Sequence, residues 1–140
     1  MNIKLFRYLP SVVWMGVIFY LSHQPANKSS ETSLELVNMV LNIIPMMPDY
    51  EDVLHTMIRK SAHFIAYAIL GILVYFAYRG SHAVLFTLII CLLFAISDEI
   101  HQLFIPGRSG EVRDVLIDVS GAVFGVLIFK LGIKLIIRRD

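Results

Sequence analysis

Uncharged stretches divide this chain. No Asp, Glu, Lys or Arg occurs in residues 8–27, 61–78, 80–97 or 119–129. An α-helix rises about 1.5 Å per residue, so about 20 residues cross ~30 Å of hydrocarbon. The pattern predicts four membrane-spanning helices, at about 8–22, 61–78, 82–105 and 115–137, in one domain covering residues 1–140. Helices are expected because lipid offers no partner for backbone polar groups. The runs are also too long and too evenly apolar for the alternation of a transmembrane barrel. The first segment closes on Leu21-Ser22-His23-Gln24-Pro25 with no small-x-small cleavage site, so it reads as a retained span and not as a removed signal peptide.

The connection from His23 to Lys60 is long for so small a chain. Ser29-Ser30-Glu31 reads as a helix start, and Leu34, Val37, Val40, Leu41 and Ile44 then form an amphipathic stripe. A short helix is expected there, lying in the outer interface or capping the bundle. Pro45-Met46-Met47-Pro48 ends it. Asp49 suits an N-cap, and Glu51 and Asp52 suit a first helical turn. A helix therefore begins near Tyr50 and continues unbroken into the second span. The expected fold is an all-α membrane protein with four transmembrane helices plus a short amphipathic interfacial helix in the first outer loop.

Composition narrows the class. Hydrophobic residues make up 57% and charged residues 16%, too few charges to cover a soluble surface of this size. Disorder needs the opposite balance. A formal net charge of +1 gives no basic field for nucleic acid, so no nucleic-acid partner is expected. The single cysteine, Cys91, excludes an internal disulfide and a CxxC site. Four spans put both termini on one side. Taking that side as cytoplasmic places Lys4, Arg7, Arg79, Lys130, Lys134, Arg138 and Arg139 inside, and Lys28, Arg59, Lys60, Arg108 and Arg113 outside, a weak positive-inside bias. The expected location is a cell membrane, multi-pass, with cytoplasmic termini.

Three polar groups interrupt the apolar pattern. In Arg59-Lys60-Ser61-Ala62-His63 and Tyr67, the residues Lys60, His63, Tyr67 and Gly71 share one helical face. In Ser97-Asp98-Glu99-Ile100-His101-Gln102, Asp98 and His101 are three apart and Ser97 and His101 four apart. In the third group, Arg108 to Asp118, Asp114 and Asp118 are four apart and lead into Gly121 and Gly125, a GxxxG that permits close helix approach within the bundle or between copies. Because chain direction alternates between spans, all three groups converge at the outer-leaflet edge. Ionisable groups there are costly unless paired or hydrated. One interior pocket is the economical solution, with Arg59, Lys60, Arg108 and Arg113 offsetting Asp98, Glu99, Asp114 and Asp118.

Three kinds of chemistry suit that pocket. As a binding site, Arg59, Lys60, Tyr67, Glu99, Gln102, Arg108, Asp114 and Asp118 would hold a ligand, with arginine forks matching phosphate or carboxylate. As a catalytic site, His63 or His101 would be a general base oriented by Asp98. As a metal site, His63, Asp98, His101 and Asp114 would hold a divalent ion, although Asp98-x-x-His101 is a short and common spacing. No cofactor is the leading expectation, with the divalent metal as the alternative. A network that merely locks the helices together is the bland reading.

At these residues the chain resembles the VanZ-like family of bacterial integral membrane proteins. Lys60-Ser61-Ala62-His63-Phe64 with Tyr67, Ser97-Asp98-Glu99-Ile100-His101-Gln102, Pro106-Gly107-Arg108, Asp114 and Gly121 carry the resemblance, together with Ser22-His23-Gln24-Pro25, over roughly residues 12–125. The family usually has Asn where this chain has Asp118, which adds a negative charge here. The resemblance implies a bacterial multi-pass protein of the cell envelope whose founding relative is linked to low-level resistance to teicoplanin, a lipid-tailed glycopeptide. The partners it implies are membrane lipids, a lipid-linked cell-wall precursor or a lipoglycopeptide. A membrane-embedded hydrolase or transferase of a lipid headgroup is the alternative, and the oligomeric state stays open.

Overall fold

A computed structural model describes residues 6–25, 51–78 and 80–137. The expected amphipathic helix of the first outer loop lies outside the described residues. Those described form four helices and no strand: α1 (Leu9–Ser22), α2 (Glu51–Ala77), α3 (Ala83–Gln102) and α4 (Val112–Ile137). Pro10 sits in the first turn of α1, where its missing N–H has no helical partner to lose. The α1 chain then stops at Ser22, just before Pro25. As the acidic start at Glu51 suggests, α2 runs unbroken into its apolar part. Gly107, with φ 76°, takes the left-handed turn after Pro106 that reverses the chain between α3 and α4.

Three stretches are long and apolar enough to cross a membrane: Thr56–Ala77, Ala83–Gln102 and Val112–Ile136. Large side chains such as Ile65, Phe76, Leu85, Leu93, Leu116 and Leu127 are exposed around them, the belt expected of helices that meet lipid. The first segment forms an apolar helix at the expected place, but a short one. As a helix of 14 residues, α1 reaches only about 21 Å, short of a full ~30 Å crossing.

The seam between α2 and α4 is the closest approach in the fold. A Cβ on Gly121 would run into the carbonyl oxygen of Phe64, one on Gly125 into that of Ala68, and one on Gly71 into that of Ala122. The GxxxG is thus used within the bundle, in the manner of small-residue packing in membranes. Contacts advance in the same direction along both helices, so α2 and α4 run parallel. Tyr67, Leu70 and Val74 of α2, Cys91 and Ala95 of α3, Ala122 of α4 and Ile18 of α1 form the buried apolar core. On α1, Ser11, Ile18 and Ser22 are buried along one stripe, and Trp14 donates its indole N–H to the Ala66 carbonyl at 2.8 Å.

Candidate functional site

The site is built where α2 begins its apolar stretch, α3 ends, α4 begins and α1 ends. Asp114 stands in the first turn of α4, where a carboxylate is favoured by the helix dipole. It takes Lys60 Nζ at 2.9 Å and Arg59 Nη2 at 3.9 Å. One turn on, Asp118 is fully buried with His63 Nδ1 at 3.3 Å from its Oδ1, within ion-pair range but without the alignment of a hydrogen bond. Of the expected face of α2, Lys60, His63 and Gly71 meet α4, while the Tyr67 ring lies against Phe94 of α3.

The end of α3 supplies the other carboxylates. Asp98 is 1% exposed and Glu99 5%. Asp98 Oδ2 accepts from Ser22 Oγ at 2.7 Å and from Gln102 Nε2 at 3.2 Å. Glu99 Oε1 accepts from Gln102 Nε2 at 3.3 Å, and Oε2 accepts the Glu111 backbone N–H at 2.8 Å, tying α3 to the loop before α4. His101 faces α1 instead. Its Nε2 lies 3.1 Å from His23 Nδ1, and its ring packs on Phe19 with centroids 4.3 Å apart.

Arg108 is half-buried and donates Nε–H to the Gln24 carbonyl at 3.2 Å. Burial first, and then the nearby charge of Arg59, lower its pKa below the usual arginine value. Two guanidinium groups from different elements are thus held within electrostatic reach of each other. Tyr67 is fully buried one turn beyond His63, and its hydroxyl has no partner among the described residues.

Several expected pairings are corrected. Arg113 is exposed and sits apart from the buried cluster. Ser97 is exposed as well. The cations do not each pair with an acid: Arg59 and Lys60 meet Asp114, whereas Asp98 is hydrogen-bonded by the neutral Ser22 and Gln102 with the Arg108 charge only within electrostatic reach. The histidine–carboxylate contact joins His63 to Asp118, not His63 or His101 to Asp98. The residues of the metal alternative are divided, His63 with Asp118, His101 with His23 and Asp114 with Lys60, and among the described residues no three His, Cys, Asp or Glu side chains gather as metal ligands. A recess at the opposite end, between Tyr75, His82 and Lys130, has half-buried and exposed walls and contains none of this cluster.

Sequence reasoning missed Ser22, His23 and Gln24 as partners of Asp98, His101 and Arg108. The available signal was their place, three polar residues in a row at the end of an apolar helix.

Helices of membrane-crossing length, closing over a buried acid cluster with cations at its edge, define a small polytopic membrane protein with an intramembrane polar site. The VanZ/LLP1 family model matches residues 8–136, nearly the whole chain. The chain belongs to the VanZ/LLP1 family. No curated protein and no solved structure matches it.

Proposed function

We propose that this VanZ/LLP1 protein binds the anionic headgroup of an amphiphile at the polar end of its bundle. That end faces the exterior of a bacterial cell membrane, with both termini cytoplasmic. The ligand is a lipid-linked envelope component or a lipoglycopeptide, and its capture alters susceptibility to teicoplanin-type antibiotics. One observation carries this reading. Arg108 is half-buried within electrostatic reach of Arg59 as well as of Asp98 and Glu99, and among the described residues it donates only its Nε–H. Like charges brought together in a half-buried place are relieved by a bridging anion, and guanidinium forks match phosphate and carboxylate oxygens. Lys60, half-buried beside Asp114, adds to the same edge.

The test is binding of undecaprenyl phosphate and of teicoplanin to the full-length protein in detergent, with Arg108→Gln in parallel. Saturable binding that weakens about tenfold in the variant is expected, the scale of one charge-assisted hydrogen bond. Absence of binding to either probe overturns the proposal.

The His63–Asp118 contact favours a second reading, a membrane-embedded hydrolase or transferase. His63 is then the general base and Asp118 the carboxylate that orients it. Release of phosphate or of a deacylated product from a bound lipid, abolished by His63→Gln, separates this reading from binding alone.

A further inference from the structure

The rim of the site offers cations, whereas its interior lacks donors. Among the described residues, Asp98 Oδ1, both Asp118 carboxylate oxygens and the Tyr67 hydroxyl are buried without a hydrogen-bond partner. Tyr67 and Asp118 are 0% exposed, and Tyr67 lies within electrostatic reach of Asp118 and Asp98. Of the donors nearby, Ser22 and Gln102 are committed to Asp98 Oδ2, Lys60 to Asp114 and Arg108 Nε–H to Gln24, while His63 Nδ1 stands 3.3 Å from Asp118 Oδ1. A tyrosine hydroxyl supplies one proton and His63 approaches only Asp118 Oδ1, so among the described residues these acceptor oxygens outnumber their donors. Orphaned buried acceptors are unfavourable and call for an occupant. A primary ammonium brings one positive charge and three N–H donors, the complement of a small set of bare carboxylate oxygens.

Resting on the anionic-headgroup reading above, we infer that the headgroup is zwitterionic: a phosphate bridges Arg59 and Arg108, and a primary ammonium on the same headgroup enters between Asp98, Asp118 and Tyr67. Ethanolamine phosphates and amino-sugar phosphates share this chemistry. The rim sets the phosphate contribution, and the buried acids set the preference for an amine.

Native mass spectrometry of the detergent-released full chain tests the inference. The probes are short-chain phosphatidylethanolamine and its N-acetyl derivative, dodecyl glucosamine 1-phosphate and its N-acetyl derivative, phosphatidylglycerol, and phosphatidic acid. One amine-bearing probe is expected to bind roughly tenfold more tightly than its N-acetyl partner, and which of the two does so identifies the source. Asp118→Asn keeps the side-chain shape and is expected to bring that ratio close to one, while phosphatidic acid binds as before or better. Arg108→Gln is expected to weaken all phosphate probes alike. Equal binding of amine and N-acetyl partners overturns the inference, and so does an amine preference untouched by Asp118→Asn. If Asp118→Asn does not fold, the wild-type ratio alone decides. Arg108-dependent binding of phosphatidic acid without an amine preference sinks this inference and leaves the anionic-headgroup reading standing. If no phosphate probe binds, both fall.

Discussion

The four helices are held together in two different ways. Between α2 and α4 the backbones touch: Gly121, Gly125 and Gly71 leave no room for a Cβ against Phe64, Ala68 and Ala122. The shorter α1 is fastened by side chains, with Ser22 on Asp98, His23 against His101, the Gln24 carbonyl under Arg108 and Trp14 on the Ala66 carbonyl. Backbone packing in a membrane is dispersion between preformed surfaces and has one geometry. Polar side-chain contacts depend on charge, on water and on any ligand competing for the same groups. Three of these fastenings lie within the polar cluster; the Trp14 contact and the bond from Arg7 Nη2 to the Phe76 carbonyl do not. The rigid seam therefore carries the fold, and the α1 attachment is the part that a ligand can loosen or tighten.

The strongest way to break this contrast is to fill the seam. Gly125→Val places methyl groups where the Ala68 carbonyl stands, so α2 and α4 must separate along their length. Overpacking typically costs about 1–3 kcal/mol, and a backbone obstacle puts this change at or beyond the upper end. The expected outcome is a large fall in thermal midpoint in detergent, or loss of a monodisperse peak on gel filtration. A fully stable Gly125→Val protein means the seam is not the core of the fold.

Next comes the α1 attachment. Asp98→Ala strips a buried acceptor from both Ser22 and Gln102. A buried donor left without a partner costs about 1–3 kcal/mol, although Gln102 keeps Glu99 Oε1 and Ser22 can turn its hydroxyl to its own backbone. A double-mutant cycle of Asp98→Ala with Ser22→Ala is expected to show coupling of about 1 kcal/mol by thermal unfolding. Hydrogen exchange should speed up in α1 and stay slow in α2 and α4. Equal loosening of all four helices would erase the distinction between the two kinds of joint.

These two regions also differ in how far the sequence disclosed them. Uncharged runs located α2, α3 and α4 to within a few residues, because lipid tolerates charge so poorly that helix ends are marked by it. Periodicity placed Lys60, His63, Tyr67 and Gly71 on one face; Lys60, His63 and Gly71 meet α4, and the Tyr67 ring lies against Phe94 of α3. Spacing along one helix says which side chains point together, but not which helix they meet. Charge demanded counter-ions for Asp98 and Asp118, yet Asp98 is served by neutral Ser22 and Gln102, which advertise no imbalance. Arg113 lies at the expected level of the bundle, but it sits one residue from Asp114, about 100° around the helix, and is exposed. Level along the bundle was legible in the chain, whereas rotation and partner were set by packing.

A smaller effect is expected at the edge of the site. Asp114→Asn removes the charge that holds Lys60 and Arg59, whose side chains are 31% and 33% exposed. Partly solvated pairs contribute roughly 0.5–1 kcal/mol and are screened by salt. The thermal midpoint should fall slightly at low ionic strength, and the difference should shrink in molar salt. Because the two cations are then unpaired, phosphatidic acid is expected to bind more tightly to Asp114→Asn than to wild type. Weaker binding would mean that Asp114 positions Arg59 and Lys60 for the ligand, and that seam-side residues take part in the site.

The smallest effect sharpens the comparison by leaving both joints alone. A Cβ on Gly16 of α1 or on Gly132 of α4 would meet nothing within 4 Å, unlike one on any of the three seam glycines. Alanine favours a helix over glycine by about 0.5–1 kcal/mol, because glycine loses more backbone freedom on folding. Gly16→Ala and Gly132→Ala should therefore raise the thermal midpoint slightly or leave it unchanged, with lipid binding intact. A substantial loss at Gly132 would point to a partner helix packed on that part of α4. A loss at Gly16 would mean that α1 is gripped along its outer face as well as through Ser22, His23 and Gln24, and the difference between its attachment and the α2–α4 seam would become one of degree.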